Sequence, residues 1–380
     1  MKILMAVSNF YPALDLGGLV QTPWELAQLL TQMGHKVDVV TSNLLGSNRK
    51  LSKSTLTRVE EGISITYLNA IWSHRASGIT PSVFNYCSQI ANYDVIHLFG
   101  LRDMITTVVA LAAQTKKVPY IIEPMGMYKR ILRSFFKKAV YDNLIGNRVI
   151  QGSAKIVATS EFEKEQLSVS SALAHKIVLR INGINIDFFE QPVEKGIFRA
   201  QLGIQDQPLL LFLGRVIAKK NLDWLIDLLV SCDDAHLAIV GDYTEEPVYY
   251  DRLNQKIAQH CLSKRVHFVG PLYDVDKLPA FADADLFCLP SQNENYANAV
   301  AEAIASNTPV VITDRCGISP LVGEAGIVTP YSYKAYSKTI QDLLVNKNQL
   351  EQLTQSCSSV KRTLSWNQPS EEMINIYKEL

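Results

Sequence analysis

A chain of 380 residues is too long for one ordinary globular core, and at about 150 residues per domain it implies two domains or three. Its 37 lysines and arginines balance 37 aspartates and glutamates, so no global basic field exists to hold nucleic acid by counterion release. With 47 % apolar and 19 % charged residues the composition is that of a soluble globular protein, not a disordered one.

The predicted elements follow in chain order. Lys2 precedes the apolar run Ile3–Val7, which Ser8 and Asn9 close. The run is too short for a secretory signal core and reads as a first strand. Thr22 is placed to cap a helix over Pro23–Met33, with Pro23 at its first position and Glu25 completing a capping box. Further β-branched or apolar runs at Val37–Thr41, Ile63–Leu68, Val95–Phe99, Tyr120–Ile122, Ile156–Thr159 and Ile177–Ile181 read as buried strands. The second half repeats the style at Leu209–Leu213, Leu237–Val240, Val266–Val269, Leu286–Leu289 and Val310–Thr313. Strands alternating with helical patterns predict α/β domains with parallel sheets covered on both faces. Asn-Gly turn chemistry interrupts the pattern between Asn182 and Gly203, which suggests domains over 1–190 and 191–365. The segment 366–380 is expected to form a helix that packs back on the first. No apolar run approaches the roughly 18 residues of a membrane-spanning helix. The six cysteines are scattered without a C-x-x-C pair, which argues against a zinc or redox motif and fits reduced thiols in a cytoplasmic setting.

Three clusters carry chemistry. Gly17 and Gly18 lie between the first strand and its helix, where glycine lets a backbone approach an anion closely or simply makes a tight turn. After strand Leu209–Leu213 come Gly214-Arg215 and then Lys219-Lys220-Asn221, opening a helix with Leu222, Leu225, Ile226 and Leu229 on one face. Cations at a helix N-terminus oppose the helix dipole, and a bound diphosphate relieves the conflict. A solvated basic loop is the alternative. After strand Leu286–Leu289, a polar loop from Pro290 to Asn298 leads into a helix over Ala299–Ser306. A fully helical segment would set Glu294 and Glu302 about 12 Å apart, too far to share a proton, and Glu294 is instead expected in the loop near the helix start. Glu302 sits among Val300, Ala301, Ala303 and Ile304, where a carboxylate needs partners, and a ribose diol supplies two hydroxyl donors.

These features in this order, Gly-Gly, then Gly-Arg-x4-Lys-Asn, then Glu-x7-Glu, resemble the retaining glycosyltransferases of family four. So do Leu30-x3-Gly34-His35-x-Val37, Asp94-Val95-Ile96-His97, Ala158-Thr159-Ser160, Asn182-Gly183-Ile184, the block from Ala282 to Ser291, and Pro309-Val310-Val311. The resemblance implies a GT-B architecture, two Rossmann-like domains facing a central cleft. It implies transfer of a hexose-type sugar from a nucleotide-diphosphate sugar to a hydroxyl acceptor, saccharide, lipid-linked or small, in glycan or glycolipid assembly. Carried over, Arg215 and Lys220 neutralise the diphosphate, Glu302 takes the ribose hydroxyls, and Glu294 with the amides of Tyr296, Ala297, Asn298 and Ala299 holds sugar and phosphate. Gly17 and Gly18 bring the first domain's loop to the donor phosphate. The family needs neither metal nor bound cofactor. In agreement, Asp283-Ala284-Asp285 precedes its strand and does not follow it as a metal-binding D-x-D would.

The chain departs from the family at Pro124-Met125-Gly126-Met127, where relatives carry a histidine in place of Met125. Glu123, Met125 and His97 are therefore candidates for touching sugar or acceptor. Glu123 reads equally as a strand-end carboxylate capping a turn, and His97 reads better as a satisfied core histidine. Segment 128–141 is basic and aromatic, suited either to peripheral contact with an anionic membrane or to an ordinary exposed helix. The alternatives to transfer are a nucleotide-sugar 2-epimerase and a non-catalytic sugar-nucleotide-binding subunit.

Overall fold

A computed structural model describes residues 1–46, 49–74, 77–128 and 135–380. The chain forms two compact units, Met1–Gly183 with Trp366–Leu380, and Ile184–Ser365. The division falls at Gly183, ahead of the residue-190 boundary suggested by turn chemistry. The reason is local: a Cβ on Gly183 would lie 2.5 Å from the Trp366 Cα, so the chain leaves the first unit and re-enters it at one tight contact. The C-terminal helix Asn367–Lys378 belongs to the first unit and buries Met373, Ile374, Ile376 and Tyr377.

The first unit holds an eight-stranded sheet and a two-stranded ribbon. Its strands are β1 (Lys2–Val7), β2 (Lys36–Ser42), β3 (Leu56–Glu60), β4 (Ile63–Leu68), β5 (Trp72–His74), β6 (Ser77–Ile79), β7 (Val95–Phe99), β8 (Tyr120–Glu123), β9 (Lys155–Ala158) and β10 (Ile177–Leu179). The sheet order is β10-β9-β8-β7-β1-β2-β4-β3, and every pairing is parallel except β3 with β4. Successive residues alternate between its two covered faces. Leu4, Ala6, Ile96 and Leu98 join one core cluster, and Ile3, Met5, Val95 and Phe99 join the other. Strands β3, β5 and β6 escape a search for buried apolar runs because β3 is largely exposed and the other two are short.

The second unit carries β11 (Leu209–Leu213), β12 (His236–Val240), β13 (Val266–Gly270), β14 (Leu286–Leu289), β15 (Val310–Thr313) and β16 (Gly326–Thr329). All pairings are parallel, in the order β13-β12-β11-β14-β15-β16. Strand order reverses at β1/β7 in the first sheet and at β11/β14 in the second. Ligands of open parallel sheets bind beyond the carboxyl ends of the strands at such a reversal.

One cap differs from its expectation. The helix expected over Pro23–Met33 begins earlier and spans Gly18–Gln32, with Pro23 inside it. Gly17, at φ 60° and ψ −136°, makes the entry turn in a conformation suited to glycine, and its carbonyl accepts from Val20 and Gln21. Thr22 is thus buried within the helix and not its cap. Glu25 does not close a capping box; it accepts from Gln21 Nε2 at 3.0 Å and from the Trp366 indole at 2.5 Å.

Candidate functional site

In the second unit the carboxyl ends of β11 and β12 meet without side chains. A Cβ on Gly241 would lie 1.9 Å from the Gly214 carbonyl oxygen. Gly214 donates to Val240 O and Val216 to Asp242 O, at 2.9 and 2.8 Å. The chain then turns through Ala218–Lys220, and Asn221, in the left-handed region at φ 50°, starts helix Leu222–Leu229. Asn tolerates that conformation better than most residues. Its side-chain amide donates to Pro290 O at 2.8 Å and to the Tyr331 hydroxyl at 2.9 Å.

That amide ties the loop after β11 to the loop after β14. Gln292 N donates to Lys219 O at 2.8 Å, and Lys219 Nζ to Asn293 O at 3.2 Å. Glu294 Oε1 forms ion pairs with both lysines, Lys220 at 2.9 Å and Lys219 at 3.5 Å. The loop from 293 is pinned on its other side, with Glu294 N donating to Arg315 O and Gly317 N to Glu294 O. Burial alone would push the Glu294 carboxyl up, but the charges of Lys220 and Lys219 outweigh it and hold the group below the usual carboxylate range. Burial also lowers Lys219, against the pull of Glu294 and with help from Lys220 and Arg215. Arg215 pairs with Glu245 at 2.6 Å, while Glu246 accepts from Ala218 N at 2.9 Å. The conflict between three cations and the helix dipole is therefore already relieved by carboxylates, two of them from the loop after β12. Of the pairs, Arg215–Glu245 is the open one, with 48 % of the arginine side chain exposed.

Ala297, at φ 84° and ψ 66°, turns the chain into helix Asn298–Ala305, one residue earlier than the apolar pattern suggests. A left-handed alanine costs on the order of 1 kcal/mol and persists where the surrounding structure over-determines it. Here Ile318 N donates to Tyr296 O at 3.0 Å on one side, and Val300 N to Ala297 O at 2.9 Å on the other. The turn places the amides of Asn298 and Ala299 at the helix N-terminus, beside the lysine-bearing loop. Glu302 is buried on this helix, and its Oε1 pairs with Lys277 at 2.8 Å.

The first-unit candidates fall elsewhere. Gly17 and Gly18 stand at the N-terminus of helix Gly18–Gln32. His97 and Glu123 are fully buried, so His97 is the core histidine its strand suggested, and Glu123 takes the structural of its two readings and does not face a sugar or acceptor. Glu123 accepts from the equally buried Arg180, whose other nitrogen donates to Asn182 Oδ1 at 2.9 Å. His97 Nε2 lies 3.4 Å from Glu123 Oε2, and Nδ1 lies 2.8 Å from the Tyr377 hydroxyl. Arg180 also stacks over Trp366 at 5.3 Å. Burial lowers His97 despite Glu123, whereas Arg180 and His97 overcome burial and lower Glu123. The cluster joins the middle of β7, the end of β8 and the residue after β10 to the C-terminal helix. Met125 is half-buried in a left-handed turn at φ 53°. Glu163 holds that turn by accepting from Gly126 N at 2.5 Å and from Thr159 N at 3.0 Å.

Of the basic segment 128–141, residues 129–134 lie outside the described residues. Beyond them Phe136, Val140 and Leu144 are exposed along helix Phe135–Tyr141 and its continuation. Among the described residues no helix is long and apolar enough to cross a membrane, and no group of three His, Cys, Asp or Glu is placed to hold a metal ion. Sequence reasoning did not reach Lys277 or Glu245. Neither belongs to a motif, and each is identified by the partner that folding brings to it.

The pattern of the family described as glycosyl transferases group 1 matches residues 194–358, and that of the glycosyl transferase 4-like domain matches 17–183. The D-inositol 3-phosphate glycosyltransferase of Jonesia denitrificans is 23 % identical, covering 96 % of this chain and 91 % of its own length. The mannosylfructose-phosphate synthase of Agrobacterium fabrum is 25 % identical over 80 % of this chain and 73 % of its own. Anabaena HepE, crystallised with UDP and glucose, superposes over the whole of both chains with a TM-score of 0.81 at 19 % identity. A likeness at that identity speaks to the fold.

Proposed function

The chain belongs to the group 1 glycosyltransferases and has their GT-B fold, and we propose that it transfers a hexose-type sugar from a nucleotide-diphosphate sugar to a hydroxyl acceptor with retention and without a metal. The observation that carries this reading is the convergence of Arg215, Lys219, Lys220 and Glu294 on two loops at the β11/β14 reversal. Arg215 and Lys220 neutralise the diphosphate, as a divalent ion does elsewhere, and stabilise the leaving nucleotide. Glu294, held ionised by both lysines, accepts hydroxyls of the sugar, and the amides from Tyr296 to Ala299 face phosphate. Glu302 accepts from the ribose. The bond between the anomeric carbon and the phosphate oxygen breaks with its electron pair going to the phosphate. The acceptor oxygen then bonds that carbon on the same face, and its proton passes to the departing phosphate oxygen. No protein nucleophile is needed, and the configuration is retained.

The test is a thermal-shift panel of uridine, guanosine and adenosine diphosphates and their sugars, run beside Lys220→Ala. At 100 times its dissociation constant a nucleotide should add about 2.7 kcal/mol to the wild type. Losing one charge-assisted contact weakens binding about 13- to 160-fold, so the same concentration should add only about 0.3 to 1.3 kcal/mol to the variant. Absence of any nucleotide effect on the wild type refutes the phosphate assignment. Two further outcomes separate the alternatives. An epimer formed from donor without acceptor marks an epimerase, and donor binding that never releases nucleotide with any acceptor extract marks a binding subunit.

A further inference from the structure

Glu302 has one polar partner among the described residues, and that partner is itself buried. Lys277 ends the short turn Asp274–Lys277, and only 11 % of its side chain is exposed. Its ammonium lies 2.8 Å from Glu302 Oε1 and faces the rings of Phe189 and Phe188 at 5.2 and 5.8 Å. Around Glu302 the helix supplies only Val300, Ala301, Ala303 and Ile304, all buried. A buried lysine–glutamate pair is a weak source of stability, since apolar residues of similar volume do as well or better. What such a pair supplies is a carboxylate that is ionised and fixed in direction. An ionised carboxylate accepts about four hydrogen bonds, and Lys277 occupies one oxygen. Glu302 Oε2 is left to accept, which is what a vicinal diol requires.

From this geometry we infer that Lys277 is a positioning residue for ribose recognition: it holds Glu302 aimed so that the carboxylate selects ribonucleotide over 2′-deoxyribonucleotide donors. The inference rests on the assignment of Glu302 to the ribose. Phe188 and Phe189 complete the device by walling the ammonium from water, so the pair is not exchanged for solvent contacts. In the absence of Lys277 the buried carboxylate loses its one polar anchor among the described residues, and with it its acceptor direction.

The experiment is calorimetric titration of the full chain with UDP and 2′-deoxy-UDP, and the corresponding guanosine and adenosine pairs, across wild type, Glu302→Gln, Lys277→Met, Lys277→Gln and Lys277→Arg. The wild type should favour the ribo form of its preferred base by about tenfold or more, the scale of a hydrogen bond to a charged group. Glu302→Gln should abolish that preference, Lys277→Met should reduce it to within about twofold of Glu302→Gln, and Lys277→Arg should restore most of it. Thermal melts check each variant for folding. Should Lys277→Met not fold, Lys277→Gln, which keeps a donor but no charge, should still lose most of the preference. A lysine variant that folds and discriminates like wild type, while Glu302→Gln does not, overturns the role of Lys277 and leaves Glu302 on the ribose. Full discrimination by Glu302→Gln, or none by the wild type, removes the ribose assignment itself.

Discussion

Replacing Arg180 by methionine should lower the unfolding midpoint of the first unit far more than any change at the second unit's surface. The guanidinium is fully buried, donates to Glu123 and Asn182, and covers Trp366. Methionine fills much of the volume but leaves the Glu123 carboxylate buried with only neutral His97 beside it. Removing one partner of a buried ion pair costs about 3–5 kcal/mol because an uncompensated charge remains. The first unit spans Met1–Gly183 and Trp366–Leu380, in the size range where each kcal/mol moves the midpoint about 2–4 °C. The expected drop is therefore about 6–20 °C. Differential scanning calorimetry of the full chain measures it, and a second-unit transition should stay in place. The double change Glu123→Met/Arg180→Met should recover most of the loss, since no charge is then stranded. A single variant within about 1 kcal/mol of wild type, or a double variant no better than the single, refutes the idea that this pair is a closed structural element.

Two further expectations follow from the same charges. The folded chain holds His97 below its ordinary value of 6.5, so the unfolded chain takes up a proton there that the folded one refuses. Stability from this group is complete above pH 6.5 and is lost as pH falls below it, by at most about 2 kcal/mol at pH 5. Glu123, held below its usual value, adds a second loss only below pH 4.5. The difference between wild-type and His97→Gln melts across pH 5–7 isolates the histidine, and parallel curves would sink the claim. At the second unit, Glu245→Gln removes the carboxylate that pairs with Arg215. An exposed pair of this kind is worth about 0.2–1 kcal/mol, so donor nucleotide should bind roughly 1.4- to 5-fold tighter, more so at low salt. Unchanged or weaker binding by fluorescence titration shows that Glu245 does not compete with phosphate.

What the sequence made legible was whatever repeats locally. The strands from Ile3–Val7 to Val310–Thr313 announced themselves as apolar runs because both faces of each sheet are covered. The exposed β3 and short β5 carried no such signal. Arg215, Lys220, Glu294 and Glu302 were legible by spacing, since loops at strand ends hold their residues at fixed offsets from the strand. Thr22 misled because a capping box is a local pattern, and Gly17 offered a better turn five residues before the expected cap. Glu123 misled for a different reason. Its partner Arg180 is distant in sequence and its neighbour Tyr377 more so, and only the fold shows that the carboxylate is already engaged.

The contrast between two arginines shows how the structure sorts functional from structural charge. Arg180 and Arg215 both follow a strand of a parallel sheet, and both pair with a glutamate. Arg180 is sealed: no surface is exposed, Glu123 and Asn182 take its terminal nitrogens, and an indole covers it. A phosphate cannot reach it without dismantling the core that fixes the C-terminal helix. Arg215 has nearly half its side chain in solvent and commits one nitrogen to a loop carboxylate that is itself partly exposed. Its remaining donors suit the bidentate geometry in which guanidinium binds phosphate. On the proposed function, exchange of Glu245 for a diphosphate costs little and keeps the guanidinium paired throughout. Lys219 and Lys220 are both anchored on Glu294, at 3.5 and 2.9 Å. That difference in availability, and not the presence of an arginine after a strand, is the ground on which donor chemistry is proposed at the β11/β14 reversal.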